Sequence, residues 1–180
     1  MKKQNTIYRT VDHIAETTSK IGAFLSISVL FIMTAHIILE IILRSVFNTS
    51  TYILDEMVGY GVAAMTFLSL GYAYRNNSLI RVNILLATLK NTTVKKMIEL
   101  FCVGIALFAS AFIFRYFYLS VMKHLSRGSR SETIAEVPLW IPEVFVCIGL
   151  AIFIIELLRR VLGVILDQEE NVMINSEGAE

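Results

Sequence analysis

Apolar residues fall into four long runs along the chain, separated by shorter polar segments. Arg115 is the single charge that interrupts the extension of the third run to residue 122, and Glu143 and Glu156 flank the fourth run. A helix of about 20 mostly apolar residues crosses the roughly 30 Å of hydrocarbon in a bilayer, so the pattern predicts four transmembrane helices. The uncharged runs cover residues 21–39, 57–74, 100–114 and 144–155.

We therefore predict an all-α integral membrane protein with four transmembrane helices. The transmembrane domain covers residues 21–161, preceded by an N-terminal segment (1–20) and followed by a polar tail (162–180). A soluble bundle of buried helices is the alternative, but several runs of membrane length rarely occur together in a soluble domain. The four spans are placed at residues 21–43, 53–74, 97–122 and 140–161.

Composition and charge placement support this interpretation and orient the chain. Hydrophobic residues make up 56% of the sequence and charged residues 17%, against roughly 45–50% and about 25% in soluble domains. Of the 16 lysines and arginines, eleven lie before the first span, between the second and third, or after the uncharged core of the fourth. The positive-inside rule then places both termini in the cytoplasm. The sequence has no basic patch of the kind that binds nucleic acid.

Short helices at the membrane surface are predicted on the cytoplasmic side. Ile7, Val11 and Ile14 recur at helical spacing, which fits either an interfacial or a solvated helix in residues 1–20. The loop between the second and third spans has a similar apolar spacing from residue 79 to 89. That spacing predicts a short helix lying along the cytoplasmic surface.

Two adjacent acids, Asp55 and Glu56, open the second span. With both termini inside, this helix end faces outward, and its positive dipole end favours carboxylates. Span one ends at Arg44, and the short connection "SVFNTST" makes spans one and two a hairpin. We expect Arg44 to pair with Asp55 or Glu56 where the two helix ends meet. The sharper alternative is a proton or ion site.

Polar residues also occur inside the spans. His36, Glu40 and Arg44 are four residues apart and lie on one face of span one, which predicts hydrogen bonds to neighbouring helices. Arg115 either reaches outward to the interface or pairs with Glu143. We expect no haem or metal site, because His36 is the one histidine inside a span.

Close helix contacts and a local ion pair are expected to stabilise the bundle. Glu156 precedes Arg159 and Arg160 by three and four residues, which predicts a local pair near the inner rim. Small residues permit close helix contact in lipid, and some of these faces could serve another membrane chain. No catalytic constellation is present, so we expect neither an enzyme nor a cofactor. The small residues are Gly59, Ala63 and Gly71 on span two and Gly104, Ala106 and Ala109 on span three.

Three blocks of sequence follow one another in a distinctive order. The first, "EIILRSVFNTS", ends span one with Arg44. The second, "YILDEMVGYGVAAMTFLSLGYAYRNNSLIRVNILL", has an acidic start, a small-residue helix, Arg75 at its inner end and a turn with Arg81 and Asn83. The third, "VPLWIPEVFVCIGLAIFIIELLRR", has two prolines and a tryptophan at the entry to span four. Over roughly residues 21–160, the chain resembles the small membrane subunit (DctQ-like small permease) of TRAP transporters, the tripartite ATP-independent periplasmic type.

The resemblance implies a function. Family members partner a large, multi-span permease and a periplasmic solute-binding protein, and the complex imports a small organic anion, commonly a carboxylate, on a sodium gradient. The small subunit is expected to lie in the lipid of the bacterial inner membrane and to brace the large subunit there. It is not expected to contain the transport site. Leu79 stands where the family often has histidine, and Asn83 where it often has aspartate.

Two other functional classes are compatible with four apolar helices. A small oligomeric exporter or channel would use Glu40 or Glu56 as a coupling carboxylate and would transport alone after reconstitution. A membrane anchor for a redox or signalling complex would need a bound cofactor or a partner domain. The ionisable groups crowd the ends of the spans, which favours a brace over a transport route. The residues expected to serve structure or partner contact are Arg44, Asp55, Glu56, Gly59, Arg75, Arg81, Asn83, Pro138, Trp140 and Pro142.

Overall fold

The apolar runs of the sequence form helices in a computed structural model of the chain, which describes residues 6–76, 78 and 92–166. Within these residues the regular structure is helical, apart from one isolated β-bridge in a loop. The predicted cytoplasmic helix at residues 79–89, with Arg81 and Asn83, lies outside the described residues, as does the tail from residue 167. The helices are α1 (Thr6–Val46), α2 (Leu54–Arg75), α3 (Thr92–Arg127) and α4 (Trp140–Ile165).

Helix α1 joins two elements that the sequence suggested as separate. It runs for 41 residues without a break, about 60 Å at 1.5 Å per residue. The helix predicted in residues 1–20 is therefore the first part of α1 and not a distinct interfacial element. Hydroxyl groups along it bond the carbonyl one turn earlier, as Ser28 does to Phe24 at 2.9 Å and Thr34 to Leu30 at 2.8 Å. These local bonds satisfy polar side chains on an otherwise apolar helix.

The four helices alternate in direction. Ser26 on α1 bonds the carbonyl of Met65 on α2, and Arg160 near the end of α4 bonds Glu99 near the start of α3. Asp12 near the start of α1 pairs with Arg159 near the end of α4. The start of α1 and the end of α4 therefore lie at the same end of the bundle, here called the terminal end. The connections 47–53 and 128–139 lie at the opposite end, here called the loop end. Helix α4 contacts each of the other three helices.

Glycines allow α1, α2 and α4 to approach closely. A Cβ atom built on Gly149 of α4 would lie 2.4 Å from the carbonyl carbon and oxygen of Phe67 on α2. At Gly22 of α1 it would lie 2.6 Å from the carbonyl oxygen of Leu68. Gly59 and Gly104, by contrast, have no atom within 4 Å of such a Cβ, so they make no close contact of this kind.

Three of the described helices are long and apolar enough to cross a membrane, namely α1, α3 and α4. Helix α2 has 22 residues, which is long enough, but it is not among the three. Its sequence, "LDEMVGYGVAAMTFLSLGYAYR", mixes tyrosines, glycines and hydroxyl residues with its apolar ones, and these lower its mean hydropathy. The four-helix architecture is thus present, with three helices that meet the criterion for a span.

Candidate functional site: polar clusters at the two ends of the bundle

A buried charge cluster joins α1, α2 and α4 at the terminal end. Glu156 is fully buried, with 0% exposure, and its Oε1 accepts hydrogen bonds from Ser19 Oγ at 2.7 Å and Arg75 Nη1 at 3.2 Å. Its Oε2 accepts a bond from Arg159 Nε at 2.8 Å. Both arginines also contact the Oδ1 atom of Asp12, at 2.9 Å from Arg75 and 3.4 Å from Arg159. We call these five residues the three-helix cluster.

In the three-helix cluster two guanidinium groups face two carboxylates, and a further carboxylate, Glu16, lies 3.7 Å from Arg75 Nη2 at the edge of the cluster. A buried charge is tolerated only when it is paired and hydrogen-bonded, and each charge in this cluster has partners on another helix. The predicted local pair of Glu156 with Arg159 is confirmed. Arg160 instead bonds Glu99 and ties α3 to α4. Arg75, singled out by its place at the end of α2, ties α2 to Asp12 on α1 and to Glu156 on α4.

A second buried carboxylate, Glu40, closes the hairpin at the loop end. It is 1% exposed, and Arg44 Nε donates to its Oε1 at 2.8 Å. Ser50 Oγ donates to the same oxygen, while the backbone N–H and hydroxyl of Thr51 donate to Oε2 at 3.0 and 2.6 Å. Asn48, with φ of +51°, provides the left-handed turn that follows α1. The Glu40 carboxylate therefore fixes the connection between α1 and α2.

The predicted pairing of Arg44 with Asp55 or Glu56 is wrong. Arg44 bonds Glu40, one turn back on its own helix, because the turn after α1 places Ser50 and not the start of α2 beside the guanidinium. His36, one turn further back, is half-buried and has no hydrogen-bond partner among the described residues. The polar face of α1 thus bonds the hairpin connection, and not a neighbouring helix.

Glu56 fastens a different loop. Its Oε1 accepts a bond from Tyr60 on its own helix at 2.7 Å, and its Oε2 accepts one from Thr133 in the connection between α3 and α4. Asp55 is exposed. The two adjacent acids therefore differ in role: Glu56 contributes to the fold of the loop end, and Asp55 projects from its surface.

The loop that Glu56 holds is a compact turn. Arg130 and Pro138 form an antiparallel bridge, and the Ser131 N–H bonds the Val137 carbonyl at 2.9 Å. Glu136 takes a φ of +44° at the turn. The loop therefore folds back on itself rather than extending away from the bundle.

The end of this turn leads directly into α4. Trp140 is the first residue of α4, and Pro142 lies in its first turn, where no backbone N–H is needed. Trp140, Pro138 and Pro142 are all half-buried. The predicted start of the fourth helix at residue 140 is thus where the helix begins.

Arg115 and Glu143 are not paired. The Glu143 carboxylate accepts a bond from Ser120 Oγ at 2.8 Å and lies 3.1 Å from His124 Nδ1. Arg115 is exposed on α3, and no side chain among the described residues pairs with it. The sequence offered two alternatives for Arg115, reaching outward to the interface or pairing with Glu143, and the pairing is not observed.

Several members of these clusters carry no sequence signal. Ser19, Asp12 and Thr133 are ordinary residues in the sequence, and their roles follow from contacts between distant segments. His124 and Ser120 lie one turn apart on α3 and share one face, which is a weak indication that a common partner exists. In the described part of the chain, no group of three His, Cys, Asp or Glu side chains could hold a metal ion.

Long apolar helices joined by charge clusters at their ends define a helical membrane protein. The chain belongs to the DctQ component family of tripartite ATP-independent periplasmic transporters, whose family model matches residues 33–167. No curated protein and no solved structure matches the chain. Membership of this family makes the protein the small permease component of a TRAP transporter. The family is one of transporter components and not of enzymes, and it implies association with a large permease and a binding protein.

Proposed function

We propose that the chain braces the large permease subunit of its TRAP transporter in the bacterial inner membrane. In this proposal the complex takes up a small organic anion, commonly a carboxylate, on a sodium gradient after delivery by the periplasmic binding protein. The small subunit contributes no substrate or sodium site. It enlarges and stiffens the static scaffold of the large subunit in the membrane, and the substrate-carrying part of the large subunit moves against that scaffold.

One observation carries the proposal: the buried charges lie at the two ends of the bundle. Among the described residues, the buried charged side chains are Glu40 at the loop end and Glu156 and Arg159 at the terminal end. The interior between them is formed by apolar residues such as Leu68 and Leu150. Transporter sites lie near the middle of the membrane and use ionisable or broken-helix elements there. A bundle with an apolar middle and fixed ends suits a brace.

The proposal includes α2 as a fourth span, with both termini in the cytoplasm. Its 22 residues extend about 33 Å, enough for the roughly 30 Å of hydrocarbon. It contacts both α1 and α4, so part of its surface faces protein instead of lipid. The alternation of helix directions puts the start of α1 and the end of α4 on one side, and the excess of lysine and arginine makes that side the cytoplasm.

An independent exporter or channel is less well supported by the same contacts. That alternative needs Glu40 or Glu56 as a coupling carboxylate able to exchange its partners. Glu40 is held by Arg44, Ser50 and Thr51, and Glu56 by Tyr60 and Thr133. Carboxylates engaged in this way at a helix end act as structural anchors.

The test of the proposal is what the chain binds in its native membrane. A tagged chain is extracted in mild detergent, and the proteins recovered with it are identified and quantified by mass spectrometry. We expect one large, many-span permease in about equal amount, because a brace must stay attached to what it braces. A chain recovered alone, or only as its own oligomer, would contradict the brace and favour a self-sufficient transporter.

Replacing Glu56 by alanine is expected to weaken assembly or uptake severalfold without preventing membrane insertion. The change removes the acceptor for Thr133 and Tyr60, so the loop at residues 128–139 loses its link to α2. Insertion depends on the apolar runs, which are unchanged. The measurements are the amount of chain in the membrane, the recovery of the large subunit and the uptake of the cognate solute.

Asp55 offers a matched control for this variant. It is the adjacent acid at the same helix end, but it is exposed. Asp55→Ala removes the same charge and leaves the loop contact intact, so recovery and uptake should stay close to those of the unmodified protein. Equal behaviour of Glu56→Ala and the unmodified protein would remove the idea that this loop contact matters.

A further inference from the structure

Arg115 occupies an unusual position on α3. It is exposed within the apolar part of the helix, eight residues before Lys123 and sixteen after Glu99. At 1.5 Å per residue these charges are about 12 Å and about 24 Å away along the helix axis. Among the described residues no side chain pairs with Arg115. Glu143, the acid that the sequence suggested as its partner, is bonded to Ser120 and His124 instead.

An arginine in this setting needs a partner beyond the side chains that the structure describes. Charged side chains at membrane depth are costly, and they face protein, pair with another group or reach the interface. Long side chains on a helix lean toward its N-terminus. For α3 that direction leads away from the nearer, loop end of the bundle. The reach to the outer interface is therefore opposed by the helix geometry, and a partner at the same depth suits the guanidinium better.

The surroundings of Arg115 form one continuous face of α3. Phe108, Phe112 and Leu119 lie seven and three residues before it and four after it, and they are 77%, 66% and 56% exposed. Toward the terminal end this face continues into a shallow groove above Gly104, where an added Cβ would meet no atom within 4 Å. The groove is lined by Met97, Leu100, Phe101, Gly104, Ile105 and Phe108.

A second exposed apolar face, on α1, lacks this feature. Phe24, Phe31 and Ile32 are each at least 70% exposed, but residues 21–39 of α1 contain no charge. Lipid tails can cover such a face at no electrostatic cost. The α3 face combines a shallow apolar groove with an unpaired cation about 16 Å away along the axis, eleven residues from Gly104. That combination matches a protein helix rather than hydrocarbon chains.

We propose that this α3 face is the surface that binds the large permease subunit. A transmembrane helix of that subunit seats a bulky apolar side chain in the groove at Gly104 and presents a carboxylate to Arg115. The inference rests on the proposed function, since it names the surface through which the brace is attached. Small residues at a helix contact permit close approach in lipid, and the charge pair fixes the depth and register of the two chains.

Site-specific photo-crosslinking in the intact transporter tests the surface. A photoreactive phenylalanine analogue is placed at Phe112 on α3 or at Phe31 on α1, in the full chain co-expressed with the cognate large permease. We expect crosslinks to the permease from position 112 and at least about fivefold fewer from position 31, because direct contact controls the yield. If the permease is recovered with the chain but crosslinks form from position 31 alone, the proposed α3 contact surface is wrong and the proposed bracing function stands. No co-recovery and no crosslink from either position would overturn the brace itself.

Substitution of Arg115 tests the charge pair. Arg115→Leu should lower the recovery of the permease about tenfold at an unchanged level of the chain in the membrane, since it leaves a partner carboxylate unpaired in the contact. Arg127→Leu removes the same charge from an exposed position at the end of the same helix and should leave recovery unchanged. The reverse charge, Arg115→Glu, should be rescued by an arginine in place of the permease acid that crosslinking locates.

A lipid phosphate is the other anion that could satisfy the guanidinium. If Arg115→Leu leaves permease recovery unchanged and lowers only the anionic phospholipid that purifies with the complex, the cation binds lipid and the proposed pair is overturned. Recovery that falls equally in Arg115→Leu and Arg127→Leu would also overturn it, because the effect would then follow total charge and not this position.

Discussion

Replacing Glu156 by glutamine is expected to lower the stability of the chain by about 3 kcal/mol, the cost of removing one partner from a buried ion pair. Glutamine keeps the shape of the side chain and can still accept the bond from Ser19. It removes the charge that faces Arg75 at 3.2 Å and Arg159 at 2.8 Å. The two guanidinium groups would then rely on half-buried carboxylates, Asp12 for both and Glu16, at 3.7 Å, for Arg75.

Thermal unfolding of the purified chain in mild detergent, followed by circular dichroism, measures this effect. A loss of about 3 kcal/mol corresponds to a fall of roughly 6–12 °C in the unfolding temperature of a protein of this size. Glu132→Gln makes the same chemical change at an exposed position in the loop between α3 and α4 and should shift the unfolding temperature by no more than about 2 °C. Equal shifts for the two variants would mean that the three-helix cluster does not hold the bundle together.

The helices themselves could be predicted from the order of apolar residues. The predicted start of the fourth span at residue 140 coincides with the start of α4, and the second predicted span, 53–74, differs from α2 by one residue at each end. The first and third helices extend well beyond the predicted spans. Hydropathy marks only the part of a helix that suits lipid, and helical backbone continues into polar sequence wherever nothing breaks it.

The polar contacts were predicted less well, because they depend on the path of the connections. The four-residue spacing of Glu40 and Arg44 places them on one face of α1, so their pairing can be predicted from the sequence. Helix dipoles also favour the acids at the start of α2 as partners of Arg44, so the sequence does not single out Glu40. The turn at Asn48 brings Thr51 within hydrogen-bond distance of Glu40, and this path of the connection determines which carboxylate the hairpin connection bonds.

The three-helix cluster lies beyond the reach of sequence patterns. Asp12 and Arg75 are 63 residues apart, and Ser19 and Glu156 are 137 apart. No local period connects such positions, so only the packing of three helices shows that their side chains meet. Arg75 could be selected as a candidate because it ends α2, but its partners could not.

Replacing Gly149 by alanine is expected to disrupt the contact between α2 and α4 and to cost about 3 kcal/mol, at the upper end of what overpacking usually costs. The added Cβ would lie 2.4 Å from the carbonyl carbon and oxygen of Phe67 and 2.8 Å from the backbone nitrogen of Leu68. These are backbone atoms, so no side-chain rotation relieves the overlap. The helices must move apart, and because Leu68 and Leu150 are buried at this contact, their packing is lost as well.

Gly59→Ala provides the matched control for this effect. It makes the same substitution inside a helix, but a Cβ there meets no atom within 4 Å, so the unfolding temperature should stay the same or rise slightly. Gly149→Ala should lower it by roughly 6–12 °C in the same detergent. Equal unfolding temperatures for the two variants would show that α2 and α4 are not in backbone contact at Gly149. A selective loss in Gly149→Ala would instead show that close contact at one glycine positions α2 between α1 and α4, and with it Arg75 beside Glu156.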